Sequence, residues 1–383
     1  MTTYNIANKV KNVTVHYSAF TPAKGVSEYQ VIIQLTDTLL PYEEQLKYLL
    51  DAYAEIKEKE LKDATTILKR YFLSDAANQT DILMALETEN SDCALSIVEQ
   101  APSNGTKIAL WAYLQTEVST KALPNGMLKV SHNNYHHFWK GRDFNHAANS
   151  EYQTRLLLND YVMQLAEQGC KLSDNCIRTW FFVQNIDTNY AGMVKARNEV
   201  FITQNLTDKT HYIASTGIGG RHPDPQVLVQ MDAYSVKGIQ PDQIQYLYAL
   251  THLNPTYEYG VSFERGTCVK YGDRRQVFIS GTASINNKGE VVYPGDIRQQ
   301  THRMWENVEA LLKEAECTFK DIAQAIIYLR DPSDYTVVKE LFDQKFPDLP
   351  RVIVNAPVCR PQWLIEMECI AVKADANDIY NDF

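Results

Sequence analysis

Two charged residues near the end of the chain have the types needed for acid-assisted chemistry on a carboxylated molecule. Arg351 and Glu366 stand fifteen residues apart, and the sequence around them reads as two short strands, 351–355 and 362–373, lying side by side. A guanidinium fork matches a carboxylate through two parallel hydrogen bonds. A partly buried glutamic acid has a raised pKa and holds a proton that it can deliver near neutrality. Cys359 lies seven residues before Glu366, with Arg360 beside it. A neighbouring cation favours a thiolate, although adjacent strand residues point to opposite faces. A structural Arg351–Glu366 ion pair and a merely packed Cys359 are the plainer readings of the same residues.

The elements that must position these groups occur three times. Amphipathic helices are expected at 42–50, 152–165 and 297–312, each with a glutamine near its start: Gln45, Gln153 and Gln300. Apolar residues such as Trp305, Val308, Leu311 and Leu312 recur every three or four positions, which gives one buried face. Each helix is followed by an apolar β-type run ending near Asp75, Asp187 or Asp331, so the Gln-to-Asp intervals are 30, 34 and 31 residues. An Asp or Ser at such a junction is a plausible N-cap for the second helix that follows. Two strands then close each unit: 94–99 and 107–115, 211–215 and 226–236, 351–355 and 362–373. The order is β-β-α-β-α-β-β, an α+β unit with two helices on one face of a sheet. Three open sheet faces in one chain can cover one another around a shared axis. Boundaries fall in Pro- and Gly-containing stretches, giving units at 1–122, 123–240 and 241–383.

Comparing the copies locates the chemistry. Aligned on their final strands, Glu366 is matched by Gln230 and Ala109, and Arg351 by His211. Only the third copy keeps both cation and acid, which predicts one working site per chain. Glu368 shares a face with Glu366, but Asp232 at its matching place argues for a structural carboxylate. His132, His136 and His137 resemble a metal site only superficially and read as a half-exposed strand.

Composition excludes several classes. The 383 residues are 45% apolar, with net charge −10 and no long basic run, which argues against a nucleic-acid partner. No apolar run approaches a membrane span, and the polar start lacks a secretory pattern, so a cytoplasmic protein is expected. Seven scattered cysteines without a C-x-x-C pair predict neither disulfide framework nor zinc site. No phosphate-binding or dinucleotide fingerprint appears, and no cofactor or metal is expected.

Several stretches of the third unit resemble the YjgF/RidA-like family: 280–283 (Ser-Gly-Thr-Ala), Gly295-Asp296, Gln299-Gln300, 328–331 (Tyr-Leu-Arg-Asp), Pro350-Arg351 and 365–372. That family forms homotrimers with sites at subunit interfaces, which implies a single-chain pseudotrimer here, monomeric or weakly associating. Ser215-Thr216-Gly217-Ile218-Gly219-Gly220, Arg178-Thr179-Trp180, the helix carrying Arg197, and Phe263-Glu264-Arg265-Gly266 further resemble the chorismatase branch. Phe181-Phe182 departs from it, since a polar and an aromatic residue are expected there.

The resemblance implies an enzyme that releases pyruvate from the enolpyruvyl ether of chorismate or a related carboxylated small molecule. It assigns a carboxylate grip to Arg351 and proton transfer to Glu366. Cys359 matches the cysteine of 3-hydroxybenzoate-forming members, and Arg197 is a candidate second cation. Tyr212 and Thr216 are candidate hydrogen-bonding groups. Gly217 and Gly219 belong to a run that either cradles an anion with its N–H groups or turns tightly between strands. A 2-iminoacid deaminase using Arg351 and Glu366, and a non-catalytic carboxylate-binding protein, are the competing readings.

Overall fold

A computed structural model describes residues 1–6, 10–87 and 93–383. The first unit contains β1 (Thr2–Ile6), β2 (Val13–Phe20), β3 (Glu28–Leu35), α1 (Tyr42–Lys59), β4 (Thr65–Leu73), α2 (Ala76–Glu87), β5 (Ala94–Glu99), β6 (Ala101–Pro102) and β7 (Ile108–Gln115). The second contains β8 (Ser119–Ala122), β9 (Leu128–His132), β10 (Tyr135–Phe144), α3 (Ser150–Glu167), α4 (Leu172–Asn175), β11 (Cys176–Val183), α5 (Ile186–Thr203), β12 (Ala214–Gly219) and β13 (Val229–Lys237). The third contains β14 (Ile244–Leu247), β15 (Gly266–Lys270), β16 (Arg274–Ala283), α6 (Ile297–Glu314), β17 (Ile322–Leu329), α7 (Tyr335–Lys345), β18 (Arg351–Asn355) and β19 (Ile365–Ala374).

The strand orders are β1-β2-β3-β7-β4-β5, β12-β11-β13-β10-β9-β8 and β14-β15-β16-β19-β17-β18-β6. Each sheet thus has an antiparallel core and one parallel pair at or near one side, β4–β5, β11–β12 or β17–β18, and in the third sheet β6 of the first unit pairs outside β18. The fold is α+β, with three YjgF-like units tiled in one chain. Strand β8 pairs within the second sheet, so residues 119–122 join the second unit rather than the first.

The repeated glutamine has a physical cause. Gln45, Gln153 and Gln300 are fully buried. Gln153 donates to the carbonyls of Ala147 and Gln226 and accepts from Leu228 N–H. Gln300 does the same with Tyr293, Gln362 and Leu364. Gln45 donates to Leu40 and accepts from Lys107 N–H. Each side chain therefore pins the start of a helix to the entry of the last strand of its sheet, and satisfies buried backbone groups there. Asp331 caps its helical turn through Ser333 N–H, as expected. Asp187 does not: α5 starts at Ile186, and Asp187 pairs instead with Arg330 of the third unit.

Alternation along each strand separates two cores. On β7, Leu110, Ala112 and Leu114 pack with Leu46, Leu49 and Tyr53 of α1, while Ala109, Trp111 and Tyr113 face the other way. The second set joins Trp180, Tyr234, Phe278 and Tyr328 in a core shared by all three sheets. The ring closes by one rule applied three times: β5 packs on β10, β12 on β16, and β18 on β3. Near its centre, Arg70 pairs with Asp232 at 2.8 Å and Arg178 with Glu368 at 2.9 Å. Two cations balance two carboxylates, as buried charges require.

Candidate active site between the second and third units

Glu366 lies on β19 opposite Tyr328 of β17 and Ala283 of β16. Between Ile279 and Thr282 the β16 ladder bulges, releasing Ser280 and Gly281 from regular pairing. Both then reach β12 of the second unit. Ser280 Oγ accepts from Ser215 N–H at 2.9 Å, and Gly281 N–H donates to Thr216 Oγ1 at 2.9 Å. A Cβ on Gly281 would fall 1.9 Å from Glu366 Oε1 and 3.0 Å from Thr216 Cγ2. The glycine is what makes room for the carboxyl group.

Glu366 opens into a cavity bordered also by Arg197, Thr216, Gly217, Cys359 and Arg265. Burial, reinforced by the negative charge of Glu368, raises the Glu366 pKa to about 8; Arg178 and Arg265 oppose the shift. Its carboxyl makes no hydrogen bond among the described residues, so at neutral pH it presents a proton to the cavity.

The cations of this cavity differ in how committed they are. Arg265 is bound to the Asn254 carbonyl at 3.0 Å. Arg360 stacks on Tyr259 and Trp363, about 5 Å from each ring centroid. Arg197, on α5, is 1% exposed, yet its Nε and Nη2 have no hydrogen-bond partner. The rings of Phe181 and Phe263 flank its guanidinium. A buried guanidinium whose Nε and Nη2 are unpartnered, lining the same cavity as a protonated acid, suits a ligand carboxylate.

Cys359 enters the cavity on the loop after β18, where Val358 bridges to Ile218 of β12. Burial and the Glu366 charge push its thiol up to about 12, against the pull of Arg360 and Arg197. The group is therefore a thiol, and the neighbouring Arg360 does not make it a thiolate. Tyr190 borders the same cavity.

Arg351 is elsewhere. Its guanidinium donates to Phe346 O at 2.7 Å, contacts Asp343, and lies over the Phe342 ring, closing the end of α7. Its carbonyl accepts from Gln34 of the first unit at 3.1 Å. The expectation that Arg351 and Glu366 share a site is corrected by the ring rule. An edge strand serves the interface with the next unit, whereas the central strand serves the interface with the preceding one. Register also revises the alignment: Ala325 pairs with Arg351 and Thr179 with Ser215, so Ser215, not His211, occupies the Arg351 position. The matches of Glu366 with Gln230 and Ala109 hold, since all three pair with equivalent residues, Tyr328, Phe182 and Phe72.

The other candidates divide. Thr216 and Gly217 line the cavity, and a side chain on Gly217 would press on Tyr190 and Met193. Gly219 does not line it. A Cβ there would strike Pro357 at 2.7 Å, and its N–H donates to Pro357 O. The glycine run is neither an anion cradle nor a turn, but strand β12, bare enough for the Cys359 loop to pair beside it. Tyr212 borders an adjoining cavity with Tyr248 and Tyr257, separated from the first by Arg265. Sequence reasoning passed over Gly281, Tyr190 and Arg265 as site residues. The signal for Gly281 was a glycine inside an otherwise apolar strand, which marks a bulge or a close approach.

The endoribonuclease L-PSP family model matches residues 267–373. A RutC family protein of Pyrococcus abyssi is 33% identical over 99 residues, covering 25% of this chain and 78% of the relative. The 3-aminoacrylate deaminase RutC of Acinetobacter baylyi is 30% identical over 97 residues, covering 25% and 77%. Among solved structures, a chorismatase superposes with a TM-score of 0.63, covering 80% of this chain and 93% of that one. At 16% identity this is a likeness of fold.

Proposed function

Since the chain belongs to the RutC family through its third unit, and is folded along most of its length like a chorismatase, we propose that it is an enzyme cleaving the enolpyruvyl ether of chorismate or a closely related carboxylated metabolite. The observation that carries this reading is the pairing of a protonated Glu366 with the partnerless N–H groups of Arg197 in one cavity between two units. Arg197 binds a substrate carboxylate. Glu366 gives its proton to the enol-ether methylene, forming a C–H bond and leaving an oxocarbenium ion. Water adds to that carbon and returns a proton to Glu366, and the hemiketal collapses to pyruvate and an alcohol. Bound near neutrality in this way, the acid is matched to its task.

Cys359 fits this scheme as a neutral thiol beside the reacting group. By resemblance it favours 3-hydroxybenzoate, which requires that the ring alcohol released by hydrolysis also lose one water and aromatise; without that loss the product is the dihydroxycyclohexadiene carboxylate. The 2-iminoacid deaminase reading is the weaker one, because the deaminase relative matches only about a quarter of the chain, whereas the chorismatase likeness extends over 80% of it. One chain carries the whole ring, so a monomer suffices for the site.

The test is incubation of the purified protein with chorismate, with pyruvate measured enzymatically and the ring product identified by mass spectrometry. Pyruvate formed in step with ring product supports the proposal. Saturable chorismate binding without pyruvate, or ammonia release from a 2-iminoacid in its place, overturns it.

A further inference from the structure

We propose that Thr216 is a specificity-determining donor, its hydroxyl proton aimed into the Glu366 cavity to engage an acceptor oxygen of the ligand beside the carbon that Glu366 protonates. This rests on the function proposed above and adds a residue role to it. A threonine hydroxyl has one proton to give and two lone pairs to fill. Both lone pairs of Thr216 are filled by groups that only donate: Arg178 Nη2 at 2.5 Å and Gly281 N–H at 2.9 Å. Its proton therefore points to neither. Arg178 cannot swing away, because Glu368 holds the same Nη2 at 2.9 Å, and Trp180 Nε1 fixes the other Glu368 oxygen at 2.8 Å. Thr216 is 1% exposed and lines the cavity, and its hydroxyl donates to no acceptor among the described residues.

The other two interfaces show what this arrangement is for. At the matching edge-strand position the first unit has Ser96 and the third has Val352. Ser96 Oγ accepts from Arg70 and donates to Asp232, so its proton is consumed inside the protein. Val352 has none. Only at Thr216 does the carboxylate behind it, Glu368, take its bonds from arginine and tryptophan, leaving the hydroxyl proton for the cavity. Glu366 Oε1 and Thr216 both abut Gly281, so the ligand oxygen held by Thr216 sits next to the proton donor.

Two measurements test this on the full-length protein. Neutron diffraction from deuterium-exchanged crystals should show the Thr216 deuteron directed into the cavity; a deuteron directed at a protein acceptor outside it overturns the proposal. With chorismate, Thr216→Val should lower kcat/KM by about tenfold to hundredfold. Thr216→Ser, which keeps the donor, should recover most of that loss. A Thr216→Val protein that melts earlier but keeps its kcat/KM assigns the hydroxyl a structural role only, and overturns the proposal. If the wild-type protein releases no pyruvate, the functional reading fails, while the deuteron still decides the orientation of the donor.

Discussion

The first–second and second–third interfaces are built from equivalent strands, yet one is closed and the other open. Where the second–third interface has Glu366, the first–second has Gln230, which donates to Ile97 O at 2.9 Å. Where the former has Gly281, register places Arg142 in the latter, and its long side chain reaches Met84. Where the former has Thr216, the latter has Ser96, bound to Asp232. The three exchanges remove the arginine side chain and leave the Glu366 carboxyl and the Thr216 hydroxyl facing a cavity, whereas the first–second interface keeps its own unpartnered atoms, Gln230 Oε1 and Arg70 Nη1, outside any such space. Among the described residues, Glu366 and the Nε and Nη2 of Arg197 are left without partners while lining one cavity, which is an arrangement a ligand can complete. The third–first interface completes the series, with Ala109 at the acid position and Arg351 turned to its own helix.

The largest effect should come from filling the open interface. Gly281→Ala puts a methyl where the Glu366 carboxyl lies, and should cut kcat at least about a hundredfold, judged by the usual worth of a positioned acid. A nearly unchanged rate would show that Glu366 is not held in its working position by this glycine. Next comes the contrast between two arginines. Arg197→Ala should raise KM for chorismate by about tenfold to hundredfold, through loss of a charge-assisted grip. Arg351→Ala should leave kcat/KM within a few-fold and lower the melting temperature instead. The reverse pattern would return the carboxylate anchor to the third–first interface.

A smaller, thermodynamic effect separates the interfaces without any substrate. Glu366 titrates at about 8 in the folded chain against 4.5 normally. Below about pH 4.5 both folded and unfolded states hold the proton, and burial of the acid costs little. Between 4.5 and 8 only the unfolded state releases it, so stability falls as pH rises, with the full cost reached above 8. Glu366→Gln should therefore stabilise the protein at pH 7 by on the order of 2–3 kcal/mol, and by almost nothing at pH 4. Denaturant unfolding at both pH values checks this. A substitution at Gln230 should show no such pH dependence. The kcat/KM of the wild type should fall as pH passes about 8, where Glu366 loses its proton.

The repeat was legible because its signature residues do a structural job that tolerates few replacements. Gln45, Gln153 and Gln300 each make bonds to separate backbone groups, and the spacing to the next acidic residue follows from one helix and one strand. The acid was legible for the same reason, since it differs from its own copies. The cation was not. Linear proximity put Arg351 with Glu366, whereas ring closure sends neighbouring strands of one sheet to different interfaces. The partner came from α5 of the preceding unit, a relation that spacing along the chain cannot express. Register in the second unit was misread because Gly217 and Gly219 look like turn residues. They are strand residues, stripped of side chains so that Pro357 and Tyr190 can pack against them.

The claim that one open interface does the chemistry is tested most directly by pyruvate release from chorismate by Glu366→Gln beside the wild type, at pH 7 and saturating substrate. The account predicts a fully folded, more stable variant whose rate is at least about a hundredfold lower. A variant that releases pyruvate at the wild-type rate would contradict it.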